Sequence, residues 1–159
     1  MSAPNRPTRR ATILSALSLA LLPALPLRAQ TLPELVVAKD PNCGCCDDWV
    51  AILRDAGLSV TVEEMPPADL RRLKARLGVA PQMASCHTGR IAGYVIEGHV
   101  PPADIRRLLA ERPDAFGLSV PGMPWGSPGM GPEDEREEYA VHLLRRDGTT
   151  EVFTLYPAA

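Results

Sequence analysis

Three of the four cysteines in this chain fall within four positions, Cys43, Cys45 and Cys46 in "DPNCGCCDDW", and the fourth, Cys86, stands next to His87 in "ASCHTGR". Cys43 and Cys46 have the C-x-x-C spacing of a dithiol that cycles with a disulfide. Cys45 does not belong in that scheme, because a neighbouring thiol scrambles the pairing through exchange. A soft-metal site gains from it. Clustered thiolates attract soft ions, Cu(I) foremost for an exported bacterial protein. Zinc also takes thiolates, but structural zinc sites draw their ligands from two separated knuckles, and here three come from one turn. A closed zinc site would need Cys86 or a histidine as its fourth ligand.

Cys86 and His87 are adjacent, and on a regular strand they would point to opposite faces. Both can serve one centre only if the backbone is irregular there or the centre is large. His87 therefore has two readings, ligand or hydrogen-bonded strand residue. Met83 lies three residues before Cys86, while Met123 and Met130 bracket "MPWGSPGM". A thioether is a soft ligand that needs no deprotonation, although a methionine also serves as core filler. Met123 and Met130 sit among glycines and prolines, so they read as secondary ligands or as a lid over the cysteines. His99 ends a strand and is a lesser candidate. His142 is expected opposite Phe153 in a hairpin, a structural position. Trp49 reads as core, and Trp125 as either a cover for the site or an exposed side chain. No phosphate loop, G-x-S-x-G or H-E-x-x-H pattern occurs.

The elements that must position these residues can be read from periodicity. "LVVAKD" is a short buried strand that runs straight into the cysteines. Trp49, Ile52, Leu53 and Ala56 then share one helical face, with Asp47 and Asp48 favouring its start and Gly57 its end. "SVTVEEM" is a second strand. "PPADLRRLKARLG" is a second helix, with Leu70, Leu73 and Leu77 on one face. A strand over about 85–91, a turn at Ala92-Gly93 and a strand over 94–100 follow. "PPADIRRLLAERP" is a third helix facing inward through Ile105, Leu108 and Leu109. The order β-α-β-α-β-β-α predicts an α/β, thioredoxin-like domain over 34–113, with the cysteines at the N-terminus of its first helix. Unpaired N–H groups and the macrodipole favour thiolate there. Residues 114–138 read as a Gly/Pro-rich loop, with "PEDEREE" as a solvated linker. Residues 139–157 read as a C-terminal hairpin packing on the same domain, turning at Asp147-Gly148.

Residues 1–29 read as an export signal: a basic start, a 17-residue apolar stretch and a cleavage site near Ala29. Pro23 and Pro26 make that stretch a poor membrane span. Arg9 and Arg10 fit a twin-arginine route as well as ordinary secretion. Without its four arginines the chain keeps 13 basic against 19 acidic residues. That balance argues against nucleic acid or an anionic membrane as partner. A bacterial periplasm is the expected address, with no stable membrane insertion after cleavage. Four thiols retained in an oxidising compartment need an occupation.

From Leu35 to Tyr156 the chain resembles an exported bacterial family of thioredoxin-like, metal-binding proteins, formerly of unknown function, that includes the copper-resistance protein CopG. The resemblance is carried by "NCGCC", "LGVAPQMASCHT", "GYVIEGHVP", "LLAERPDAFGLSVPGMPWGSPGM" and the terminal hairpin. It implies copper, Cu(I) or Cu(II), held by Cys43, Cys45, Cys46 and Cys86 with His and Met support. It also implies a role in periplasmic copper resistance beside other copper-handling proteins, with redox interconversion of the ion as a candidate activity. Arg90 departs from the small or apolar residue expected at its position. Three readings stand: a copper-binding protein holding one or several Cu(I) ions, a thiol-disulfide oxidoreductase using Cys43 and Cys46, and a structural zinc domain.

Overall fold

Strand β1 (Leu35–Lys39) is buried along most of its length, as a run of apolar residues in the middle of a sheet must be. The structure is a computed structural model, and it describes residues 32–159. The expected export signal over residues 1–29 lies outside the described residues. Helix α1 (Gly44–Asp55) carries the chain back to β2 (Val60–Glu64), which pairs parallel to β1. β2 is an edge strand, and its Glu63 and Glu64 are exposed there, which discourages further pairing. Helix α2 (Pro67–Arg76) leads through a short 3₁₀ turn, Pro81–Met83, to β3 (Thr88–Ile91). β3 runs antiparallel to β1 and to β4 (Tyr94–Glu97). The β3–β4 turn is tight because Ala92 and Gly93 both take positive φ, 49° and 86°.

Helix α3 (Pro102–Glu111) follows, so the elements come in the order β-α-β-α-β-β-α expected of a thioredoxin-like arrangement. The Gly/Pro segment 114–138 is not irregular throughout, as its composition suggests. It contains β5 (Gly117–Ser119), parallel to β4 and wholly buried. Three residues are too few to show a period, and glycine is a poor strand former. The sheet needs Gly117 because a Cβ there would lie 2.0 Å from the Val95 carbonyl oxygen. β6 (Tyr139–Leu144) and β7 (Thr150–Tyr156) complete a seven-stranded sheet in the order β2-β1-β3-β4-β5-β6-β7.

Three local readings change. Ile52 is 37 % exposed, and Val50 takes the inward place on α1 beside Trp49 and Leu53. The β6–β7 turn has three residues at its tip, because the Arg145 N–H bonds the Thr149 carbonyl. Gly148 supplies the positive φ, and Asp147 accepts from the Thr149 N–H and hydroxyl. The extra turn residue sets His142 opposite Val152 rather than Phe153, and a bulge between Val141 and His142 then skips Phe153 in the pairing. Arg90, the unexpected side chain on β3, bonds Glu63 on the edge strand at 2.7 Å. No helix among the described residues is long and apolar enough to cross a membrane.

Candidate metal centre

The turn after β1 places the first three cysteines. The Cys43 N–H bonds the Asp40 carbonyl at 3.1 Å, and Asp40 Oδ1 accepts the Asn42 N–H. That closes the loop and sets Cys43 at the N-cap of α1. Cys45 and Cys46 follow in the first turn, where free N–H groups favour negative charge on sulfur. Cys43 and Cys46 are joined in a disulfide, whereas Cys45 and Cys86 are free thiols. Cys46 is fully buried; Cys43 is partly exposed, with the Cys45 sulfur 3.6 Å from its own.

Cys86 is presented from the other side by an irregular stretch that ends where β3 begins at Thr88. The expected strand start near residue 85 is therefore three residues early, and the difference matters. Off the ladder, Cys86 and His87 both turn toward one centre. The Cys86 sulfur lies 3.3 Å from His87 Nδ1 and 3.1 Å from His99 Nε2. Several contacts hold this stretch. The buried Glu97 carboxylate accepts the Ser85 N–H at 2.7 Å. Ser85 also bridges to Gly122, and Ser119 Oγ donates to the Met83 carbonyl at 2.6 Å. Gly98 has φ +73° and no room for a Cβ, which would meet Ser85 Cβ at 2.6 Å. Glu97 also accepts from Thr88 at 2.7 Å and pairs with the buried Lys74.

Two ligand sets result, and they share one sulfur. The sulfurs of Cys43, Cys45, Cys46 and Cys86 lie within 4.8 Å of one another, and so do ligand atoms of Cys86, His87 and His99. Both imidazoles are buried. Burial first, then the neighbouring His99 and the positive charges of Lys74 and Lys39, hold His87 well below the ordinary imidazole range. Burial also lowers His99, against a hydrogen bond to the Pro128 carbonyl at 2.8 Å. Since a carbonyl only accepts, His99 carries its proton on Nδ1, and the Nε2 lone pair faces Cys86. Both rings are thus neutral, the form that binds metal. His87 Nε2 is buried without a partner, a further polar atom with unused capacity. Burial, then the neighbouring Cys45, pushes the Cys86 thiol up to about 11. Trp49 backs the centre, its ring 4.2 Å from that of His87 and its Nε1 donating to the Val100 carbonyl.

The Gly/Pro segment forms one wall. Pro128 holds His99, and Gly129 presses on α1 so closely that a Cβ would lie 2.9 Å from the Cys45 carbonyl oxygen. Met130, next in sequence, is half-buried. Met123 follows the Gly122 that bridges Ser85, and its side chain is 53 % exposed. Met83 is half-buried at the end of the 3₁₀ turn. Trp125 is 46 % exposed and lies against Gly131. "PEDEREE" does more than solvate a linker, because Glu137 and Glu135 accept from the Trp125 backbone and indole N–H groups.

His99 carries more of the site than its place at a strand end suggests; only the fold brings it to within reach of a cysteine 13 positions away. The Lys74–Glu97 pair has no sequence signal at all, since Lys74 lies in a charge-rich amphipathic helix.

The family described as "Protein of unknown function, DUF411" matches residues 83–130. No curated protein matches the sequence. Two solved structures do. One, "Copper resistance protein copG- Form 1", is 46% identical, with 80% of this chain and 99% of that chain covered and a TM-score of 0.75. The other, "Copper resistance protein copG- Form 2", is 48% identical, covers 79% and 99%, and has a TM-score of 0.73.

Proposed function

The chain belongs to the DUF411 family that includes the copper resistance protein CopG, and on that premise we propose that it is an exported copper-binding protein of copper resistance. The observation that carries this reading is the convergence of four cysteine sulfurs and two neutral imidazoles on one centre, with the Cys86 sulfur common to both sets. Four thiolates can bridge more than one Cu(I), which prefers soft, low-coordinate sulfur. The imidazole pair adds donors that suit either copper oxidation state, so the shared Cys86 joins a sulfur-rich compartment to a mixed one. Met123 and Met130, on the Gly/Pro segment, and Met83 are the thioether donors this reading adds to the centre. The periplasm is the expected place of action, with copper-handling proteins there as donors or acceptors of the ion.

The disulfide observed between Cys43 and Cys46 favours keeping a second reading, thiol-disulfide exchange, in view. The two separate cleanly. The reduced protein is titrated with Cu(I) under anaerobic conditions against a chromophoric chelator. The copper reading expects tight uptake that falls sharply in a Cys45→Ser, Cys86→Ser variant, whose Cys43–Cys46 pair is intact. Equal uptake by the two proteins would overturn it.

A further inference from the structure

The copper reading requires four thiolates, yet two of the four sulfurs are tied in a disulfide, so a reductant must reach it. Among the described residues, Cys43 is the accessible end of that bond. Cys46 is fully buried, whereas Cys43 lines a cleft of about 360 Å³ together with Cys86, Ser85 and residues of α2. That volume is within the range of small-ligand sites. The cleft opens to solvent, and Arg71 and Lys74 of α2 line it. Lys74 is committed to Glu97, but Arg71 is exposed. Asp40 lines the cleft as well, with its Oδ1 taken by the Asn42 backbone and side-chain N–H groups. The chain's net charge is negative, so a carboxylate-bearing visitor is favoured only locally, by the exposed guanidinium that lines this thiol site.

The geometry points to this cleft as a binding site for a small acidic thiol that reduces the Cys43–Cys46 disulfide and so readies the centre for metal. This inference deepens the copper reading by naming the co-reactant class. The visitor's carboxylate pairs with Arg71 and its thiolate attacks the Cys43 sulfur. A bond forms between those sulfurs, the Cys43–Cys46 bond breaks, and Cys46 leaves as a thiolate at the start of α1, where the helix stabilises it. A second thiolate attacks the visitor's sulfur in the mixed disulfide, and Cys43 leaves as a thiolate. Two thiols supply the two electrons and depart as one disulfide.

The test uses oxidised, copper-free protein and three probes: glutathione, neutral mercaptoethanol and cationic cysteamine, each at equal thiolate concentration. Loss of the disulfide is followed by alkylation and mass spectrometry. Glutathione is expected to react faster than cysteamine. Arg71→Glu should slow glutathione about tenfold and leave mercaptoethanol unchanged. Equal rates for all probes, or an equal loss for all in the variant, would overturn the proposal. A second arm treats a Cys45→Ser, Cys46→Ser, Cys86→Ser variant, in which no neighbouring thiol can displace the adduct, with oxidised glutathione. The adduct is expected on Cys43, and its absence would overturn the route. No copper is present in either arm, so failure here leaves the copper titration standing, and failure of that titration leaves the reduction kinetics readable.

Discussion

A histidine that ligates through one ring nitrogen needs the other held, and the Pro128 carbonyl does this for His99. The hydrogen bond fixes tautomer and ring plane together, so the Nε2 lone pair is directed at the Cys86 sulfur before any ion arrives. His99→Gln keeps a polar side chain but loses that arrangement. Its Cu(I) affinity is expected to fall about 10- to 100-fold, the usual cost of disturbing a ligand's orientation. The reduced variant should still titrate as four thiols. An unchanged affinity in chelator competition would remove His99 from the centre. Cys45 has a different standing. In a dithiol cycle it would be a liability, whereas its sulfur is close to both Cys43 and Cys86, where the proposed copper centre would use it.

The element that presents Cys86 depends on a buried ion pair from two other elements, Lys74 on α2 and Glu97 at the end of β4. Burial raises the Glu97 carboxyl, and Lys74, Thr88 and the Ser85 N–H pull it back down. Lys74→Met leaves that carboxylate without its cation. The expected cost is about 3–5 kcal/mol in urea unfolding. A Lys74→Met, Glu97→Gln double variant should recover part of it, because a neutral amide no longer needs the cation. A double variant as unstable as the sum of the two singles would argue against coupling. This pair also shows where sequence reading stops. Period and turn chemistry revealed the strands and helices of residues 34–113, since each buries an apolar face or carries its own glycine. They could not reveal Lys74, because a lysine on an exposed-looking face is buried only by its partner 23 positions away. The cysteine turn was legible because its three cysteines fall within four positions. The half of the centre contributed by His99 and Pro128 depends on packing between distant segments. β5 escaped notice for a related reason: its three residues are a strand only because β4 and β6 flank them.

At the scale of the molecule, the C-terminal hairpin is fastened to α3 through partly buried hydroxyls. Asp104, on α3, accepts from Thr154 at 2.5 Å and Tyr156 at 2.7 Å. The Tyr156 ring stacks on Tyr139 with centroids 4.9 Å apart. Both tyrosines line a cavity of about 470 Å³ whose other wall is Gly126–Gly129. Burial pushes the Tyr139 hydroxyl up to about 12, and burial with the adjoining Asp104 carboxylate raises Tyr156 further. In the unfolded chain both titrate at about 10. Between these values the unfolded state has released protons that the native state still holds, so stability falls as pH rises. It is fully present below pH 10 and is lost progressively through about 12. Urea midpoints measured over that window, with tyrosinate absorbance followed in parallel, are expected to drop. A Tyr139→Phe, Tyr156→Phe variant removes both ionisations and should flatten the decline, even if its midpoint at neutral pH is lower for want of the Asp104 bond. A decline as steep in the variant as in the parent would place the alkaline weakness elsewhere and detach the hairpin from this account.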